Sequence, residues 1–81
     1  MDYSNIAHVH PLTRTERKCL EFIASGYADA EIGKELILAP NEVKTVISVA
    51  MIKLGTKNRM SAVARATRLG ILDLENQTRD A

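Results

Sequence analysis

The sequence predicts an all-α domain of four short helices, with the second and third joined closely enough to form a helix-turn-helix. Three observations carry that prediction. Apolar residues recur at helical spacing in four separate stretches. Stop signals follow three of them, at Gly26, Gly55 and Gly70. The connections are so short that few topologies remain.

Residues 1–11 show no period and read as a flexible lead-in, with Pro11 disfavouring helical geometry at His10. The first helix is expected over Thr13–Ser25, opened by a capping box of Thr13 and Glu16 and buried along Cys19, Leu20, Ile23 and Ala24. The second is expected over Asp29–Leu36, with Ile32 and Leu36 on one face. Ala28 is a poor cap, so Asp29 is expected to cap in its place. Gly33 costs helix stability and suits a place where another helix comes close. Ile37, Leu38 and Ala39 make the turn. Pro40 then fits the first position of a third helix running to Leu54, where a missing N–H does no harm. Ile47, Ala50 and Leu54 fall within about 40° of Val43 at 100° per residue and form with it the core stripe. Asn58 caps the fourth helix, which runs to Leu69, with Ala62, Val63, Ala66 and Leu69 as its apolar side and Arg59, Arg65 and Arg68 reaching solvent. Ile71 and Leu72 are expected to tuck onto the core, and residues 73–81 read as a frayed tail.

At 81 residues the chain has room for one domain with a modest core, placed at residues 12–72. The single cysteine, Cys19, excludes a disulfide framework within the chain and belongs on the buried side of its helix. His8 and His10 are too few to hold a metal, and no nucleophile–base pattern or phosphate-cradling glycine loop is present. The expectation is therefore no enzyme, no cofactor and no metal. With no apolar run long enough for a membrane span and no signal-peptide pattern, a soluble, cytoplasmic protein is expected. Met51 and Met60 read as packing residues.

Net charge is only +1, but it is unevenly placed. Residues 1–39 carry four cations against six acids. Residues 40–72 carry Lys44, Lys53, Lys57, Arg59, Arg65 and Arg68 against Glu42 alone, for +5. Residues 73–81 return to −2, with Arg79 against three acids. One basic segment between two acidic ones is what a polyanion-binding surface produces.

The stretches LTRTERKCLEFIASG, EIGKEL and VKTVISVAMIKLGTKNRMSAVARATRLGIL resemble the DNA-binding domain of LuxR-type (GerE-like) transcriptional regulators, from Leu12 to Leu72. The match rests on Leu12-Thr13 with Glu16 and Leu20, Ile23-Ala24 with Gly26, Glu31-Ile32, Val43-Lys44, Lys53-Leu54-Gly55, Asn58-Arg59 and Ala62-Val63, in order and without gaps. The resemblance implies a tetrahelical domain whose third helix enters the major groove of double-stranded DNA. It also implies a fourth helix that pairs with its copy in a homodimer reading two half-sites. Family members usually carry a sensor domain ahead of this one; here about eleven residues precede the match, as in a stand-alone member or a fragment.

Departures from the family pattern cluster where DNA should lie. Thr15 stands at a usual arginine, Ala39 at the usual serine cap, Glu42 at a usual threonine and Val46 at a common histidine, while Val49 and Ile52 replace polar or basic residues. The face opposite the core stripe is Asn41, Thr45, Ser48, Val49 and Ile52, flanked by Lys44 and Glu42. Losing the serine cap is expected to cost about 1 kcal/mol. Glu42 is expected to repel phosphate unless it accepts from a cytosine amino group. Val49 and Ile52 suit thymine methyls or a protein contact. Backbone contacts are expected from Lys44, Lys57, Arg59 and Arg14, base-edge contacts from Asn41, Thr45 and Ser48, and dimer contacts from Ala62, Val63, Ala66 and Leu69. The alternative is a protein-binding module or antagonist that forms a heterodimer with a longer LuxR-type regulator or meets another partner through the aliphatic face of its third helix.

Overall fold

A computed structural model of the protein describes residues 12–72. The readings of residues 1–11, with His8 and His10, and of residues 73–81 lie outside the described residues. Four helices follow in order: α1 (Arg14–Ala24), α2 (Asp29–Leu36), α3 (Pro40–Leu54) and α4 (Arg59–Arg68).

Three of them begin on one device, a glutamate at the third helical position. In α1 the box is reciprocal: Glu16 N–H donates to Thr13 Oγ1 at 3.0 Å, and Thr13 N–H donates to Glu16 Oε1 at 2.9 Å. In α2 and α3 alanine holds the cap position, so only the returning half exists. Ala28 N–H donates to Glu31 Oε1, and Ala39 N–H donates to Glu42 Oε1, each at 2.7 Å. Asp29 therefore does not cap α2 as expected: Ala28 is the cap residue, and the Asp29 carboxylate is drawn across to Arg59. α4 starts conventionally, with Ser61 N–H donating to Asn58 Oδ1 at 2.8 Å.

The core stripe of α3 is as expected, with Val43, Ile47, Ala50 and Leu54 all 0–5% exposed. α3 joins two packed groups. One holds Leu20, Ala50, Leu54, Ala62, Ala66 and Leu72. The other holds Cys19, Ile32, Val43 and Ile47, and Ile23 and Met51 pack against both. Burying each of Leu20, Ile32 and Ile47 completely contributes about 1.5–3 kcal/mol. Burial and the nearby acids Asp29 and Glu16 push the Cys19 thiol above its ordinary range, so it packs as an uncharged group.

Several side chains depart from the sequence reading. Ala24 is exposed rather than buried, because the inward stripe of α1 runs through Glu16, Cys19 and Leu20. Met60 is 78% exposed and packs on nothing, whereas Met51 does pack. α3 does come close at Gly33, with Val43 Cγ2 3.6 Å from where a Cβ would sit, but the turn is tighter still: that Cβ would lie 2.5 Å from the Leu38 carbonyl oxygen. The same turn places Ile37 in the left-handed region at φ 59°, a costly conformation for a β-branched residue.

Two ion pairs tie the early helices to the late ones. Lys53 Nζ of α3 donates to Glu16 Oε1 at 2.9 Å. Arg59 of α4 grips Asp29 of α2 with both terminal nitrogens, at 2.6 and 2.9 Å.

Candidate nucleic-acid interface

The outer side of α3 is set by what its inner side must do. Once Val43, Ile47, Ala50 and Leu54 face the core, Asn41, Thr45, Ser48 and Ile52 fall on the opposite side at helical spacing. All four are exposed, as are the flanking Glu42 and Lys44. The Thr45 hydroxyl donates to the Asn41 carbonyl at 3.1 Å, which leaves its oxygen lone pairs to accept. Val46 is half-buried against the second core group, so it is less available than its neighbours. Ile52 stands 77% exposed one turn from Val49, which is 37% exposed.

Glu42 is not simply a repulsive charge at this face. One carboxylate oxygen is held by the Ala39 N–H, the returning half of a capping box, while the Glu42 N–H that a serine would have met turns to the Ala39 carbonyl at 2.9 Å. An acid in the first turn also suits the positive end of the helix. Glu42 thus steadies the start of α3 without replacing the acceptor absent at Ala39.

The expected backbone-contacting cations do not form one cluster. Lys44 is exposed on the second turn of α3, and Lys57 is exposed in the connection after it. Arg59 does not simply reach solvent: its guanidinium is half-buried and committed to Asp29. That bidentate bond lowers the Asp29 pKa, and the charge of Lys44 acts in the same direction. Arg14 opens α1, two residues before the Glu16 that binds Lys53.

The expected dimer set also divides. Ala62 and Ala66 are 0% exposed and are consumed by the intrachain core, because their spacing by four lays both against Leu20 and Leu54. Val63 is half-buried, and Leu69 is 52% exposed. The outward flank beside them is Met60, Ala64 and Thr67.

The sequence reading placed Arg65 and Arg68 in the basic segment, reaching solvent, but not among its chosen backbone contacts. In the structure they line an open groove with Lys57, Asn58 and Ser61. The spacing of Ser61, Arg65 and Arg68 by four and three residues was the signal for a shared face.

A short turn setting an exposed helix across a buttressing one defines the helix-turn-helix class of fold. Residues 10–66 match the family described as GerE, bacterial regulatory proteins of the luxR family. The solved structure of the transcription factor GerE superposes with a TM-score of 0.75 at 32% identity, covering 78% of this chain and 94% of that one. The spore germination protein GerE of Bacillus subtilis is 40% identical over 63 residues, which are 78% of this chain and 85% of that protein. The quorum sensing-dependent regulator VjbR of Brucella abortus is 46% identical over 63 residues, which span only 24% of its length. The transcriptional regulatory protein DesR of Bacillus subtilis is 36% identical over 64 residues, 32% of its length. The chain belongs to the LuxR family of bacterial regulatory proteins, and it carries the DNA-binding domain of that family's transcriptional regulators.

Proposed function

We propose that the chain is a sequence-specific transcriptional regulator of the bacterial cytoplasm that binds duplex DNA as a homodimer and inserts α3 into the major groove. The observation that carries this reading is the outer stripe of α3: Asn41, Thr45 and Ser48 are exposed together while the opposite stripe is locked in the core. Their amide and hydroxyl groups suit base edges. Lys44, Lys57 and Arg14 supply phosphate contacts, and Arg59 adds its remaining donors while holding Asp29. Val63, with Met60 and Thr67 beside it, supplies the pairing face of α4, and the exposed Leu69 borders the Arg65 side of the helix end. No helix of the described residues is long and apolar enough to cross a membrane.

The test is titration of selected duplexes with the purified chain from about 50 to 200 mM salt, with mass in solution followed alongside. Affinity that falls steeply with salt and is carried by a dimer supports the reading. No binding at the low-salt end removes it. The second reading, a protein-binding module that pairs with a longer LuxR-type regulator or another partner, is favoured by Val49 and Ile52, exposed 37% and 77% one turn apart on α3. A heterodimer formed without any DNA binding by the chain alone would select it.

A further inference from the structure

α4 has two outward flanks of different chemistry. Taking Ala62 and Ala66 as its inward direction, Ser61, Arg65 and Arg68 lie within about 60° of one another on one flank, and Val63, Thr67 and Met60 lie on the other. The first flank, with Ala64 at its edge, forms one wall of the open groove, and Gly55, Thr56, Lys57 and Asn58 form the rest. Three cations line this groove and no acid does. The ion pairs among the described residues use Lys18, Lys53 and Arg59, so Lys57, Arg65 and Arg68 are not neutralised by them. Folding gives no reason to hold three like charges around one open channel, since their mutual repulsion opposes it. A polyanion lying in the channel relieves that repulsion.

We propose that this groove holds the sugar–phosphate backbone of bound duplex DNA, with Arg65 and Arg68 gripping phosphates beyond those reached from α3. The proposal rests on the DNA-binding reading above and extends it to a surface that α3 does not include. The guanidinium fork matches a phosphate with two parallel hydrogen bonds, and residues three apart on a helix stand side by side. Lys57 continues the positive line back to the end of α3. The opposite flank of α4 stays free to pair with a second copy, so phosphate binding and dimerisation do not compete for one surface.

The experiment compares the wild-type chain, the double variant Arg65→Gln/Arg68→Gln and the variant Ser48→Ala. Each is titrated from about 50 to 200 mM salt on a duplex selected by the wild-type chain and on a random-sequence duplex, with circular dichroism and solution mass as controls. Both arginines are exposed, so the fold and the dimer are expected to persist. The double variant is expected to bind both duplexes more weakly by the same factor. Its plot of log affinity against log salt should be shallower by about 1.8 units for two lost phosphate contacts. Across that salt range the wild-type chain then loses about 12-fold more affinity than the double variant. Ser48→Ala is expected to lower the preference for the selected duplex and leave the slope alone. An unchanged slope in the double variant overturns the groove while the α3 reading stands. A shallower slope with no wild-type preference between duplexes keeps the groove and removes sequence-specific reading. Weakened self-association at an unchanged slope gives the flank to a protein partner and overturns the proposal. No duplex binding by the wild-type chain overturns both.

Discussion

The two sides of α3 follow different rules. The inner side is fixed by packing: four residues at helical spacing fill the space between α1, α2 and α4, and little else would fit. The outer side is unconstrained by the fold, so its mixture of amide, hydroxyl, acid and exposed isoleucine reflects whatever the helix meets. Stability should therefore report on one side and recognition on the other.

The largest expected effect is on the inner side. Ile47→Ala leaves a cavity where both core groups depend on α3, and is expected to cost about 3 kcal/mol in urea unfolding. For a domain this size that is a large part of the total stability. Gly33→Ala forces a methyl group into the Leu38 carbonyl, and is expected to cost about 2 kcal/mol by the same measurement. On the outer side, Ser48→Ala is expected to change stability by less than about 0.5 kcal/mol. A loss near that of Ile47→Ala would break the division.

Smaller effects sharpen the same contrast. Glu42→Gln keeps an acceptor for the Ala39 N–H but removes its charge, so it is expected to lower the melting temperature only slightly. If Glu42 is chiefly a cap, phosphate attraction should rise in that variant and duplex affinity with it. Ile37→Gly is expected to stabilise by about 0.5–1 kcal/mol, because glycine accepts the left-handed turn without strain. The pH dependence of the Asp29–Arg59 pair has a definite sign. The folded pKa of Asp29 is lowered, so its contribution is present above the ordinary carboxylate range and is lost as pH falls through the folded value. Wild type and Asp29→Asn should therefore differ near neutrality and converge as pH falls below the lowered folded pKa of Asp29 in parallel unfolding measurements.

Local patterns in the chain specify most of the architecture. Pro40 and Gly55 mark the ends of α3, and the spacing of Val43, Ile47, Ala50 and Leu54 identifies its inward side, because both signals act within a few residues. The Thr13–Glu16 box is visible for the same reason. What escaped sequence reading involves distant partners. Asp29 meets Arg59 across thirty residues, and no periodicity announces that pair. The inward pull on Ala62 and Ala66, which removes them from the expected pairing face, depends on where Leu20 and Leu54 lie. At the candidate interface, helical spacing exposes Asn41, Thr45 and Ser48, whereas the groove around Lys57, Arg65 and Arg68 forms only when α4 folds back beside the end of α3.

Cys19 gives the molecule a clock. It is the chain's single thiol, fully enclosed between α1, α2 and α3, and its surroundings hold it protonated. A thiol reagent can reach it only when that part of the core opens. The rate of labelling in native buffer thus counts openings of the α1–α3 contact. Any ligand that binds the closed form slows that count in proportion to its affinity, so one residue far from the outer side of α3 can register occupancy there.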